Sequence, residues 1–328
     1  MNPLKDKRLK SLALLLVPGV CAVYLFHDFD AQRFLSALSG LPLPAYPAFA
    51  LLFALPALPQ GLRLRLLLKK SCPLLKAIRA VLIGSGVNAI LPARLGDVTK
   101  AAFLSLDGGI PFPATLCAVF WERLGDLLCV FCMALLVGLR LDAPGLYLSA
   151  LILPAFLLGT LALAVRFRRP FRRLIALLPW PALRGQANSV LSRLTERRYR
   201  PHPGTALALS LAVWVAAAFA NAVFFACFRG GAPDATAGLL ITAAAAIGVM
   251  VPGTPGGIGT FEASTVAALS LLGVEKSEAL AFALALHLVQ VVPCVLYAVY
   301  AAARGRWSIA GARAVFLEKD VSCEQTEF

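Results

Sequence analysis

The chain has 328 residues, 59% of them hydrophobic, with a mean hydropathy of +0.80. A water-soluble fold is excluded, because much of that apolar surface would face water; an all-α, polytopic helical membrane protein is expected instead. The net charge of +14 does not point to nucleic acid, since the basic residues cluster between apolar runs, where membrane topology and anionic headgroups account for them.

Lys5, Lys7, Arg8 and Lys10 precede the apolar run 12–26, which reads as a first span with a cytoplasmic N-terminus. No small-x-small cleavage site follows that run, so it is expected to stay as a helix. Residues 27–46 carry Asp28, Asp30 and several prolines and read as a short outer loop. Residues 47–62 form a second span, kinked at Pro56 and Pro59, which exits into the cytoplasmic cluster Arg63, Arg65, Lys69 and Lys70.

Residues 74–104 are broken at Pro92-Ala93-Arg94-Leu95-Gly96-Asp97 and are followed by a loop at Asp107-Gly108-Gly109. A full span over 113–139 contains Glu122, Arg123 and Asp126. Cys129 and Cys132 make a C-x-x-C within it but have no second pair, so they read as small hydrophobes; no metal or other cofactor is expected. Another span, 145–165, ends in the basic stretch 166–205, where ten arginines face Glu196 alone. That stretch is cytoplasmic, and Phe171, Leu174, Ile175, Leu178 and Trp180 suit a helix lying on anionic lipids of the inner leaflet.

Charge placement then fixes the remaining orientations. Residues 74–104 start and end on the cytoplasmic side. Residues 206–228 run outward and 279–303 run back inward to a basic cytoplasmic tail, 304–328, so 235–272 starts and ends outside. The expected architecture is a single membrane domain, 1–328, of about six transmembrane helices plus two opposed re-entrant hairpins. Its halves, 1–140 and 145–303, form an inverted-topology repeat. The two turns share Pro-x-x-aliphatic-Gly: Pro92 to Gly96 in one, Pro255 to Gly259 in the other.

Ionisable groups at membrane depth are costly and usually face a cavity or each other. Arg94, Asp97, Glu122, Arg123 and Asp126 are therefore candidate site residues. They form either an ion-pair network locking the first hairpin to the next helix, or a setting in which Arg94 and Arg123 meet an anionic headgroup through their planar donor forks. Lys100 reads as a snorkelling cation. In the second turn Gly253, Thr254, Gly256, Gly257, Gly259, Thr260 and Glu262 are candidates. Backbone amides there could hold phosphate at a helix N-terminus, or Glu262, with no evident cation nearby, could couple movement to protons. His287 and Gln290 share a face and read as interhelical hydrogen-bonding groups.

Asn88 with Leu91-Pro92-Ala93-Arg94-Leu95-Gly96-Asp97, then Glu122-Arg123-Leu124 with Asp126-Leu127-Leu128, then Pro252 through Glu262, occur in an order that resembles the flippase-like family named for the lysylphosphatidylglycerol synthase transmembrane region. The resemblance covers nearly the whole chain. It implies a bacterial inner-membrane protein that moves a lipid: aminoacylated phosphatidylglycerol, a polyprenyl-linked sugar or a hopanoid. The soluble aminoacyl-transferase domain of the full synthase is expected to be absent, so lysine transfer is not expected of this chain alone. The reading is a lipid transporter rather than an enzyme. A membrane-embedded transferase using a lipid-linked donor, or a non-catalytic partner of a lipid synthase or glycosyltransferase, are the alternatives.

Overall fold

The computed structural model describes residues 16–40, 43–91, 94–143, 181–195, 203–251 and 254–305, with isolated positions at 148, 152, 155, 159, 173, 175–177, 307, 308, 310 and 311. Every regular element among them is helical. In chain order these are α1 (Leu16–Phe26), α2 (Ala31–Ser39), α3 (Tyr46–Ala54), α4 (Ala57–Leu67), α5 (Leu74–Ile90), α6 (Leu95–Gly108) and α7 (Phe112–Arg140). Then come α8 (Pro181–Thr195), α9 (Pro203–Arg229), α10 (Ala235–Met250), α11 (Thr260–Ser270) and α12 (Lys276–Ala303). Most of the expected span 145–165, of the inner-leaflet helix near 171–180 and of the basic tail 304–328 falls outside the described residues, as do residues 1–15.

Two expectations need correcting. Residues 27–46 are not simply a loop: Asp30 accepts hydrogen bonds from the amides of Gln32 and Arg33 and so starts α2. The first hairpin does not end at 104, because α6 runs on to Gly108 and closes on Gly109 at φ +63°. The break near Pro56 is present, separating α3 from α4 at residues 55–56, whereas Pro59 lies inside α4.

Among the described residues three stretches are long and apolar enough to cross a bilayer: Tyr46–Leu67, Gly204–Arg229 and Lys276–Ala303. The 29-residue α7 reaches about 43 Å at the helical rise, but Glu122, Arg123 and Asp126 interrupt its apolarity. The exposed positions 207, 211, 215 and 219 of α9 are Leu, Leu, Val and Phe, a stripe that suits lipid rather than water.

Each of the two helix pairs α5–α6 and α10–α11 is made of short pieces. Their 17, 14, 16 and 11 residues span roughly 25, 21, 24 and 16 Å, all short of a hydrocarbon core of about 30 Å. In the first pair the helices touch because Gly84 and Gly96 face each other; a Cβ on Gly96 would overlap the Gly84 carbonyl oxygen. Gly86 lies against the Cys294 carbonyl and Ala298, seating α5 on α12. The apolar core has two main parts. One surrounds the α10–α11 pair with Phe49, Phe224, Ile241, Phe261, Phe282 and Leu286. The other surrounds α5–α6 with Leu64, Ile83, Val87, Phe103, Leu104 and Ala301. The long helix α12 contributes to both and so links the two pairs.

Candidate functional site

A network of six ionic side chains lies where α4, α6, α7 and α9 meet, with Arg63, Lys100, Glu122 and Asp126 buried, Asp97 partly buried and Arg123 43% exposed at its edge. Glu122 and Asp126 are one turn apart on α7, so both point to the same side. The Nη1 of Arg63, on α4, donates to Asp126 Oδ1 at 2.6 Å and to the Ser210 hydroxyl at 2.8 Å, and its Nε lies 3.8 Å from Glu122 Oε1. Lys100 Nζ, on α6, donates to Glu122 Oε2 at 2.6 Å. Arg123 reaches Asp97 Oδ1 at 3.0 Å and Asp126 Oδ2 at 3.3 Å, and the Trp214 indole donates to Asp126 Oδ1 at 3.1 Å. Arg63, Lys100 and Arg123 match Asp97, Glu122 and Asp126 in charge. Desolvated ions are tolerated on these terms, with each paired and hydrogen-bonded.

Two sequence readings are overturned here. Arg63 is not a topology charge in the cytoplasm: it is 3% exposed and central to the network. Lys100 does not snorkel: it is 4% exposed and paired within the protein. Sequence reasoning missed both, yet a signal was available. Asp97, Glu122 and Asp126 are three carboxylates, while the sequence reading offered them only Arg94 and Arg123.

Arg94 stands apart from this network. It precedes α6 in a left-handed conformation, φ +55° and ψ +38°, which turns its side chain toward the other hairpin. Its Nη2 donates to the Val249 carbonyl of α10 at 3.3 Å. Among the described residues no carboxylate lies within ion-pair distance of it. The tips also meet through Gly256 (φ +64°), where a Cβ would come 2.9 Å from the Ala89 carbonyl oxygen at the end of α5. Only a residue without a side chain fits both that backbone angle and that gap.

The corresponding glycines of the two turns are both engaged. The Gly96 amide donates to Asn88 Oδ1 at 2.7 Å, and the Gly259 amide donates to Glu262 Oε2 at 2.6 Å. The second contact, a carboxylate over the first turn of α11, is favoured by the helix dipole. It also changes the reading of that tip. The amides of Gly257 and Ile258 donate to the carbonyls of Thr254 and Pro255. With Gly259 taken by an anion, these amides do not form an open phosphate cradle. Nor does Glu262 lack a partner: its Oε1 lies 2.6 Å from Nδ1 of His287, which is stacked on Phe261 at 4.2 Å between ring centroids. The Thr260 hydroxyl donates to the Gly257 carbonyl, leaving it turned inward. Gln290 contacts Asn221 of α9 at 3.4 Å, while Asn221 donates to Thr242 of α10 at 2.7 Å. Gly253 falls outside the described residues.

The structure thus brings Asp97, Glu122, Arg123 and Asp126 into one cluster and sets Arg94 at the contact between the tips. It groups Gly256, Gly257, Gly259, Thr260 and Glu262 around His287. Cys129 is buried and Cys132, one turn on, is exposed. The family model described as the lysylphosphatidylglycerol synthase TM region matches residues 11–298. No curated protein matches the chain.

Proposed function

We propose that this chain, which belongs to the lysylphosphatidylglycerol synthase transmembrane family, moves an anionic or polyprenyl-linked lipid, or a related lipid such as a hopanoid, across the bacterial inner membrane. The helix pairs α5–α6 and α10–α11 are re-entrant hairpins from opposite faces in an inverted repeat, with both termini cytoplasmic. The headgroup sits between their tips. Irregular backbone at membrane depth is tolerated beside such a cavity, and transporters place their sites where broken helices meet.

One observation carries this reading. Three cations behind the inner tip are matched by three carboxylates, whereas Arg94 at the tip makes a single 3.3 Å contact with a carbonyl. An unmatched guanidinium at a partly enclosed site favours phosphate or another oxyanion, which its fork binds through two parallel hydrogen bonds. A transferase would need a free carboxylate as base or metal ligand. Glu122 and Asp126 are instead held by Lys100, Arg63 and Trp214, which supports transport over chemistry. Anionic inner-leaflet lipids remain the proposed partners of the basic stretch 166–205.

The test is reconstitution into liposomes, following labelled phosphatidylglycerol and polyprenyl phosphate between leaflets. A charge-assisted contact of about 1.5–3 kcal/mol predicts that Arg94→Gly weakens transport roughly 10- to 150-fold. The same substitution relieves the left-handed backbone, so melting should not suffer, and Arg94→Lys should retain part of the rate. Parental transport by a folded Arg94→Gly protein, or none by the parent with any such lipid, refutes the reading.

A further inference from the structure

The outer tip is tied to α12 through the imidazole of His287, which is 8% exposed, and the carboxylate of Glu262, which is 3% exposed. Both ring nitrogens face oxygen. Nδ1 lies 2.6 Å from Glu262 Oε1, and Nε2 lies 3.2 Å from the Gly256 carbonyl oxygen. A carbonyl only accepts, so the second contact is a hydrogen bond only when Nε2 carries hydrogen. The short first contact then holds a second proton, on Nδ1 or on the carboxyl group. In either arrangement the pair has two protons and zero net charge. Removing one leaves a buried charge of −1 and sets two acceptors against each other. They are Nε2 and the Gly256 carbonyl if the remaining proton is on Nδ1, or Nδ1 and the carboxylate if it is on Nε2. Such an opposition is unfavourable in a buried site.

We propose that Glu262 and His287 form a binding site for one proton, taken up and released together with the anionic headgroup at Arg94. The proposal rests on the transport reading above. The charges around the pair support it. α10 carries no titratable side chain, and Glu262 is the only one on α11. On α12, Glu278 is nine residues or about 13 Å along the helix from His287 and is paired with Arg229 of α9; Lys276 binds the His27 carbonyl. On α5, Lys76 is paired with Asp107, and Arg79 is ten residues or about 15 Å from the Ala89 end that meets Gly256. Arg33 of α2 is paired with Asp30. The nearest elements otherwise offer only neutral groups: Cys21 and Tyr24 of α1, Tyr46 of α3, Cys227 of α9, and Cys294, Tyr297 and Tyr300 of α12.

The fixed charge that approaches the site is Arg94. It binds the Val249 carbonyl, and Val249 packs on Gly257, the neighbour of the residue His287 holds. An anion at Arg94 therefore repels the deprotonated pair and raises its affinity for a proton. By linkage, the proton raises the affinity for the anion by the same factor. Proton loss that leaves the remaining proton on Nδ1 also breaks the Nε2 contact to Gly256, and Gly256 is the residue seated on Ala89 of the other hairpin. Proton release thus loosens the contact between the tips.

The experiment uses the full chain in vesicles of phosphatidylcholine with or without phosphatidylglycerol, and has two arms. In the first, ¹⁵N-histidine NMR follows His287 in a His27→Gln/His202→Gln background. The expected result is loss of one proton as pH rises, with a midpoint at least about one unit higher when phosphatidylglycerol is present. A ring signature that is constant from about pH 5 to 9 overturns the proposal. In the second arm a pH gradient is imposed. One proton per lipid drives about tenfold lipid enrichment per pH unit. Glu262→Gln should still fold, because its amide can donate to Nδ1 while its carbonyl accepts from Gly259, and whatever its exchange rate the lipid distribution it reaches should not respond to the gradient. Parental transport indifferent to the gradient overturns the proton coupling and leaves lipid transport standing. No transport of any lipid overturns both, so the two failures are distinct.

Discussion

Arg63→Met is the substitution that most directly tests whether the buried network neutralises itself. Methionine keeps much of the stem volume and removes a charge from a side chain that is only 4% exposed. Asp126 then loses its 2.6 Å and 3.4 Å contacts with the guanidinium, and Ser210 loses a donor. Removing one member of a buried pair typically costs about 3–5 kcal/mol, because the survivor stays desolvated. Asp126 still accepts from Trp214 at 3.1 Å and Arg123 at 3.3 Å. That places the expected loss near the lower end, about 3 kcal/mol. At about 2 °C per kcal/mol for a chain of this size, the melting temperature in detergent should fall by roughly 6 °C. Arg63→Met/Asp126→Leu, which removes both charges, should recover most of it. A single variant melting within about 2 °C of the parent, or a double variant worse than the single, would refute Arg63 as the buried counterion of Asp126.

Two other predictions concern the tips and the topology. Gly256→Ala and Gly230→Ala both force a side chain onto a positive φ, +64° and +68°, but nothing lies within 4 Å of a Cβ on Gly230. Gly256→Ala should therefore melt as though destabilised by about 1–3 kcal/mol more; equal melting would mean that the tips do not touch. In a cysteine-free background, an impermeant maleimide should label Lys70→Cys only from the cytoplasmic side and Gly231→Cys only from the outer side. Labelling of both from one side would remove the inverted topology.

The sequence exposed those parts of the fold and site whose physical cost is high. Prolines and glycines flanked by apolar runs too short for a bilayer marked the breaks within both short helix pairs. Glu122 and Asp126 stood out because carboxylates are rare at that depth. Their partners were hidden for a different reason. Arg63 sits at the end of a span where arginines ordinarily report sidedness, so a local rule gave it a role that tertiary packing overrides. Lys100 was concealed in the same way by its flexible stem. His287 lies 25 residues beyond Glu262, and nothing in the intervening sequence shows that the α11–α12 turn brings the two rings of the site, imidazole and Phe261, face to face. The α2 helix was lost because Asp28 and the prolines beyond it at 42 and 44 outweighed the capping value of Asp30.

The two turns use a similar backbone to opposite electrostatic effect. Arg94 and Gly257, third in their shared five-residue pattern, both adopt positive φ, and the glycine two residues on gives its amide to a side-chain oxygen in each case. At the inner tip that oxygen belongs to neutral Asn88, and Asp97 in the first turn of α6 is offset by Arg123. The dipole of α6 and the charge of Arg94 therefore add. At the outer tip the oxygen belongs to Glu262, so the dipole of α11 is already opposed by a carboxylate, whose state depends on His287. An anion favours the first tip and a proton the second. Because the two sites touch through Val249, Gly256 and Ala89, filling either one changes the charge that the other faces. In the proton-coupled transport proposed above, this asymmetry lets two similar hairpins hold different ligands across one contact.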